Sequence, residues 1–341
     1  MRQIVLTRHG DPDVMVMREG PDPIPGDGEV RIAVRAAGVN FADVLIRLGL
    51  YPDPPPLPAV VGYEVAGVVD AVGPGVAGRR PGDRVVAFTR FGGYADTVVV
   101  PEGHSLPVPA GLGDAEAAAI PVNYLTAYVA LYRLANLQEG ESVLIHGIGG
   151  GVGIAALQLA RRADAVVIGT ASAAKHDALR GLGAGHLIDP RDGNLKAELR
   201  RLTGGRGVDV VLDPLGGASF RASYDLLAPL GRLVVYGASA AVAGERRNLW
   251  RLGRTLLTMP AFRPLRLINE NRGVLGLNLS RLWGETRTLS RAMEFLRGEV
   301  EAGRLAPVVA RTFPLDRAAD AHRFLQSRAN VGKVVLTASS S

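Results

Sequence analysis

The sequence contains no cysteine. That excludes disulfides, thiolate metal sites and cysteine nucleophiles, and it fits a reducing compartment without requiring one. Aromatic residues make up only 5% of the chain and no long Lys/Arg block occurs, so the formal net charge of +6 lacks the footprint of a nucleic-acid binder. The excess of cations favours anionic ligands in general. Lysine is scarce: Lys175, Lys196 and Lys333 stand among arginines, which marks each as a candidate for a specific role. The start, MRQIVLTRHG, lacks the apolar core of a secretory signal, so a cytoplasmic location is expected. The most apolar stretch, Ser142 to Ala160, has the length of a membrane span, but its glycines cluster in the middle. It reads as a buried strand, a turn and a helix.

What is present is a chain of 341 residues, 47% hydrophobic and 21% charged, enough to build two domains around sizeable cores. The first third predicts strands in QIVLT, EVRIAVRAAGV, YEVAGVVDAV, DRVVAF and ADTVVVP, divided by Gly, Pro and Asp turn signals. The proline-dense run from Tyr51 to Gly62 predicts a loop. From Asp114 the spacing turns helical through DAEAAAIPVNYLTAYVALYRLA. Strands and helices then alternate: SVLIHG with VGIAALQLARRA, AVVIGTA with AAKHDALRGLGA, HLID with LKAELRRLTG, VDVVLDPLG with ASFRASYDLLAP, then the strand RLVVYGAS. Continuous apolar strands in repeated βα units imply a parallel sheet covered on both faces. Val274 to Leu279 predicts a sixth strand. A long helix over 285–302, a strand PVVARTFP, a helix DRAADAHRFLQS and the strand KVVLT follow, with TASSS as a frayed end.

Gly147, Gly150 and Gly153 lie between a predicted strand and a predicted helix, spaced G-x-x-G-x-x-G. Such glycines permit a tight turn and let backbone approach a pyrophosphate, while the helix N-terminus offers free N–H groups. Gly151 and Val152 complete the turn. At the end of the second strand, Gly169, Thr170, Ala171 and Ser172 bring no carboxylate for a ribose 2′-hydroxyl. Ser172 and Lys175 offer a hydroxyl and a cation for a 2′-phosphate, so NADPH is expected over NADH.

These residues, and the order of the whole chain, resemble the zinc-free branch of the medium-chain dehydrogenase/reductase superfamily. AAGVNFADVLIRLGLYP resembles its quinone oxidoreductases. GTASAAKHD, DVVLDPLGG, RLVVYGAS, ERRNLWRLGRT and NVGKVVL are similar to the vesicle amine transport protein homologues. The resemblance implies a GroES-like substrate domain (1–123, completed by 280–341) and a Rossmann NADPH-binding domain (124–279) with a doubly wound, six-stranded parallel sheet. It also implies a cleft between the domains and a homodimer through the sixth strand. Zinc-binding relatives carry Cys at Asn40 and the histidine of GHE at Tyr63, so no metal site is expected. That disfavours alcohol oxidation and favours reduction of quinones or α,β-unsaturated carbonyls.

By the same resemblance Asn40 faces the nicotinamide and Tyr51 donates a hydrogen bond or a proton to substrate oxygen. Asn123 and Thr126 meet the carboxamide. Asp213, Leu215, Gly237, Ala238, Ser239, Leu277 and Leu279 line the cofactor, and Asn330 and Lys333 reach towards it. Asp43 is read as a helix cap or a partner of Arg47, and His146 as a packed core histidine. A rival reading is an NADPH-binding, lipid-associated protein with little turnover. It rests on 244–272, where Arg246, Arg247, Arg251, Arg254, Arg263 and Arg266 mix with Trp250, Leu249, Leu252, Leu256 and Phe262.

Overall fold

A computed structural model describes residues 1–242 and 244–338. Residues 339–341, the last three of the expected frayed end, lie outside the described residues, and Thr337 still belongs to the strand Lys333–Thr337. The described chain forms two compact units. One holds Met1–Leu125, Gly244–Arg247 and 280–338; the other holds 126–242 and Asn248–Leu279. The short return of Gly244–Arg247 to the first unit has no counterpart in the sequence pattern.

The second unit is a six-stranded parallel sheet. Its strands in chain order are β1 (Ser142–His146), β2 (Val166–Thr170), β3 (His186–Ile188), β4 (Val208–Asp213), β5 (Leu227–Val235) and β6 (Gly273–Gly276). They lie side by side as β3-β2-β1-β4-β5-β6, all parallel, the doubly wound order of a Rossmann domain. The core strands are apolar towards both faces: Val143, Leu144, Ile145, Val210, Val211 and Leu212 are all fully buried. Leu144, Ile168, Val211, Tyr224 and Leu233 form one cluster over which Leu195, Phe262 and Val274 pack. The helix Gly151–Arg162 buries Ile154, Ala155, Ala156, Leu157, Leu159 and Ala160, and ends on Arg161 and Arg162, cations suited to its negative C-terminus.

The first unit is built on a mixed sheet of seven strands, in which Glu29–Val39 pairs with Glu64–Val72, Thr97–Pro101 and Lys333–Thr337. A smaller sheet joins Arg2–Leu6 to Met15–Glu19 and Ala59–Val60. Pairing of the last strand of the chain with Glu29–Val39 is what brings Lys333 to the start of the helix Phe41–Arg47.

Three expectations fail locally. The continuous helix from Asp114 is three pieces, Asp114–Ala117, Pro121–Tyr128 and a π-turn at Val129–Leu134. Pro121 lacks the N–H needed to continue the first piece and starts the second. The helix expected to run through LLAP stops at Asp225, because β5 already begins at Leu227. The sixth strand is Gly273–Gly276, earlier and shorter than Val274 to Leu279.

Candidate functional site

In the second unit the glycine turn joins β1 to the helix Gly151–Arg162. Gly147 has φ +64°, a left-handed conformation that favours glycine, and Gly150 is the N-cap residue of the helix. A Cβ on Gly153 would lie 2.6 Å from the carbonyl oxygens of Gly147 and Ile148, so only glycine lets the helix sit this close to the turn. By contrast, a Cβ on Gly147 would meet nothing within 4 Å. This is a closely packed cradle with an open rim, and it fits a dinucleotide pyrophosphate.

A buried polar chain holds the turn. Thr170 Oγ1 accepts from the Gly147 N–H at 3.1 Å and lies 3.3 Å from His146 Nδ1. His146 Nε2 is 3.0 Å from Ser223 Oγ, which donates to Asp213 Oδ2 at 2.7 Å. Asp213 also accepts from Ser219 Oγ and from the Leu215 N–H, both at 2.7 Å. Burial holds the His146 imidazole below its ordinary pKa, opposed by the Asp213 charge. His146 is thus a buried structural histidine. Thr170 and Asp213 direct their side chains into the scaffold of the turn. The segments after β4 and β5 are clasped together by Ser239 N–H to Pro214 O at 3.0 Å and Ala240 N–H to Leu215 O at 2.8 Å. That clasp places Leu215, Gly237, Ala238 and Ser239 side by side at the carboxyl ends of the strands. Leu277 joins the same end through its N–H to Val235 O at 2.9 Å, with buried Leu279 two residues on.

Ser172 and Lys175, both half-buried, bracket a single 3-10 turn that follows β2. Sequence reasoning missed Asp189, at the end of β3, whose carboxylate accepts from the Ala173 N–H at 2.9 Å and pairs with Arg191 at 2.5 Å. Arg191 and the backbone N–H donors hold its pKa well below the usual carboxylate range. The Asp189 carboxylate beside the β2 turn is therefore already engaged.

In the first unit, four residues converge. Lys333 Nζ lies 2.5 Å from Glu64 Oε1, 2.6 Å from Asn40 Oδ1 and 3.5 Å from Asn123 Oδ1. Asn40 Nδ2 donates to Glu64 Oε1 at 2.9 Å, and the Val122 N–H donates to Glu64 Oε2 at 2.6 Å. Lys333 is 3% exposed and Glu64 0%, so the ion pair is fully enclosed. Local sequence explains the fit. A Cβ on Gly38 would fall 2.7 Å from Glu64 Cδ, so the glycine of AAGVN makes room for the carboxylate. Gly332, at φ +104°, turns the chain into the strand, and the Asn330 amide donates to Gly332 O at 2.9 Å. The amide of Asn40 is engaged on both sides by these neighbours. Glu64 is the residue sequence reasoning underweighted; its signal was GYE directly after the proline-rich loop.

Asp43 caps the helix Phe41–Arg47, accepting from the Asn40 N–H at 2.8 Å. It also takes the Gly62 N–H at 3.2 Å and the Tyr94 hydroxyl at 3.0 Å. Burial pushes its carboxyl up to about 7, against the backbone donor and Lys333. The Arg47 guanidinium is directed to His322 Nδ1 (3.3 Å) and Gln326 Oε1 (2.6 Å). Burial, with Arg47 beside it, holds His322 well below its usual pKa. Tyr51 stands apart from the lysine cluster: its hydroxyl is 3.0 Å from Ser280 Oγ, and its ring is 6.2 Å from that of Tyr63. Thr126, 7% exposed, lies on Pro121–Tyr128 just across the unit boundary from Asn123.

Residues 26–110 match the alcohol dehydrogenase GroES-like domain, and 182–336 match a family described as zinc-binding dehydrogenase. The synaptic vesicle membrane protein VAT-1 homolog of Rattus norvegicus is 42% identical over 339 residues, covering 98% of this chain and 84% of its own length. The chain belongs to the medium-chain dehydrogenase/reductase superfamily, among the VAT-1 homologues. Solved relatives agree. A human VAT-1 homolog-like protein superposes with TM-score 0.87 at 34% identity, over 100% of this chain and 99% of its own. Escherichia coli quinone oxidoreductase complexed with NADPH gives 0.86 at 30%, over 99% and 100%. CurK enoyl reductase gives 0.85 at 29%, over 99% of both chains. The protein is an oxidoreductase of this superfamily, with an NAD(P)-binding Rossmann domain.

The family description implies zinc, and the residues do not fit it. An amide (Asn40) and a phenol (Tyr63) stand at the two ligand positions identified in the sequence, and the neighbouring Glu64 is neutralised by an ammonium. Among the described residues no group of three His, Cys, Asp or Glu converges. An amide oxygen held by an ammonium and a neutral phenol are a poor donor set for this cation.

Proposed function

We propose that the chain is an NADPH-dependent, zinc-independent reductase of quinones or α,β-unsaturated carbonyls. The observation that carries the reading is the end of β2: a hydroxyl and a cation, Ser172 and Lys175, follow a strand end without its own carboxylate, while Asp189 is committed to Arg191 and Ala173. A 2′-phosphate suits that pair better than a 2′-hydroxyl does.

When bound, a reduced nicotinamide supplies a hydride. The chain's own residues bind and orient. The turn Gly147–Gly153, with the N–H groups opening the helix, holds the pyrophosphate. Ser172 and Lys175 hold the 2′-phosphate. Leu215, Gly237, Ala238, Ser239, Leu277 and Leu279 flank the dinucleotide, with Thr170 and Asp213 supporting the turn from below. Asn123, Thr126 and Asn330 serve the nicotinamide end. Tyr51, with a hydroxyl already in a hydrogen bond to Ser280, donates to the substrate oxygen. Asn40 is a fixed polar wall, since its amide is held by Lys333 and Glu64. The quinone oxidoreductase and enoyl reductase likenesses support this substrate class. The test is NADPH oxidation measured against quinones, enals and enones, with NADH in parallel. Activity with NADPH and one of these classes is expected; no oxidation with any of them refutes the reading.

A second reading, a lipid-surface protein with little turnover, is favoured by the helix Leu249–Leu257 and its successor Pro264–Glu270. Trp250 is 85% exposed, Leu257 89%, Leu265 74% and Ile268 67%, on helices that also carry Arg251, Arg254 and Arg266. Among the described residues no helix is long and apolar enough to cross a membrane. We also propose a homodimer through the open edge of β6, checked by light scattering of the purified chain; a cytoplasmic location goes with this reading.

A further inference from the structure

We propose that Lys333 is the electrophilic group of this site, a built-in cation that polarises the substrate's carbonyl oxygen where metal-dependent relatives use zinc. This rests on the reductase reading above.

The geometry points to Lys333 in three ways. First, its ammonium is enclosed, 3% exposed, so its field is not screened as a surface lysine's is. Second, it is fixed from several directions: the strand Lys333–Thr337 pairs with Glu29–Val39, and Glu64 and Asn40 hold Nζ at 2.5 and 2.6 Å. A group fixed in advance costs little reorganisation when charge develops beside it. Third, its three donors are unequal. Two are short; the last, to Asn123 Oδ1 at 3.5 Å, is at the limit of a hydrogen bond and is the one a carbonyl oxygen can replace. Asn40 occupies a position where zinc-binding relatives carry Cys, so the cation sits against one residue that stands in for a metal ligand. Glu64 keeps the lysine ammonium compatible with burial.

The chemistry balances without a further reagent. A bound reduced nicotinamide would supply hydride to the β-carbon of an enone; the C=C pair would then form the new double bond of an enolate, and the C=O π pair would pass to the carbonyl oxygen. Lys333 holds that charge through an N–H···O bond and keeps its proton. Solvent then protonates the α-carbon.

The probe is 4-(dimethylamino)cinnamaldehyde, whose absorption moves to longer wavelength when a cation approaches its carbonyl oxygen. Bound to wild-type protein with NADP⁺, it is expected to show that shift. Lys333→Met/Glu64→Gln, which removes both charges together, loses it, and kcat for an enone falls about 100-fold or more. Asn123→Ala, which keeps the ion pair and frees the weakest donor, shows a shift at least as large as wild type. A red shift that survives in the lysine double variant, or is lost in Asn123→Ala, overturns the assignment. So does wild-type-like enone turnover in the double variant. Should wild type oxidise NADPH with none of the substrate classes, both the reductase reading and this role fall; turnover that ignores Lys333 removes only the role.

Discussion

Gly153→Ala is the smallest change that tests the dinucleotide turn. The added methyl would lie 2.6 Å from two carbonyl oxygens, Gly147 O and Ile148 O, and 2.7 Å from the carbonyl carbon of Ile148. These are backbone atoms, and the Gly147 end is anchored by the N–H that Thr170 accepts at 3.1 Å. No rotamer change relieves the overlap, so the turn or the helix Gly151–Arg162 must shift. Overpacking of this kind costs about 1–3 kcal/mol. If the shift widens the turn, the same energy appears as weaker cofactor binding. The NADPH Kd then rises about tenfold to a hundredfold, at about 1.4 kcal/mol per factor of ten. Fluorescence titration of NADPH reads the affinity, and a thermal melt reads stability of the free protein. The reasoning is refuted if both the Kd and the Tm match wild type. A change in Tm alone refutes the link between this turn and the cofactor.

Other outcomes follow from particular side chains. Lys175→Ala is expected to weaken NADPH about tenfold and leave NADH nearly unchanged, by paired titrations; an equal effect on both would show that Lys175 does not meet a 2′-phosphate. Acid should destabilise the fold. Buried His146 and His322 stay neutral while their unfolded counterparts gain protons below about pH 6.5, so their contribution is present above that pH and lost beneath it. Asp43 opposes them, because its folded carboxyl, raised to about 7, takes a proton that the unfolded one does not accept until near 3.8. Asp43→Asn should steepen the loss of stability as pH falls below 7, as read by urea unfolding at several pH values. Trp250→Ser/Leu257→Ser should abolish flotation with acidic liposomes if the second reading holds; absence of flotation in wild type retires it.

Much of the fold could be read from local pattern. β1, β2 and β4 are runs of Val, Leu and Ile long enough to be buried on both faces, and the glycine turn is contiguous in the chain. The misreadings came from competition that pattern alone does not resolve. Pro121 sits in an otherwise helical stretch, and LAPLG of β5 has weak strand propensity, yet Leu227 pairs with Val208 and a register shift takes up the residues before Arg232. The candidate site was only half legible. Asn40, Asn123 and Lys333 were named separately, yet Lys333 is 293 residues from Asn40, and only the antiparallel pairing of Lys333–Thr337 with Glu29–Val39 joins them. GYE marked the position of Glu64, but not that it would meet an ammonium 269 residues away in the chain. Tyr51, expected as a donor to substrate oxygen, has its hydroxyl against Ser280 and its ring near Tyr63.

The most direct measurement is equilibrium binding of NADPH and NADH to the purified wild-type chain, side by side at one salt concentration. The account predicts saturable binding of both, with NADPH tighter by about tenfold, the share assigned to one phosphate–ammonium contact. Equal affinities, a preference for NADH, or binding of neither would contradict it.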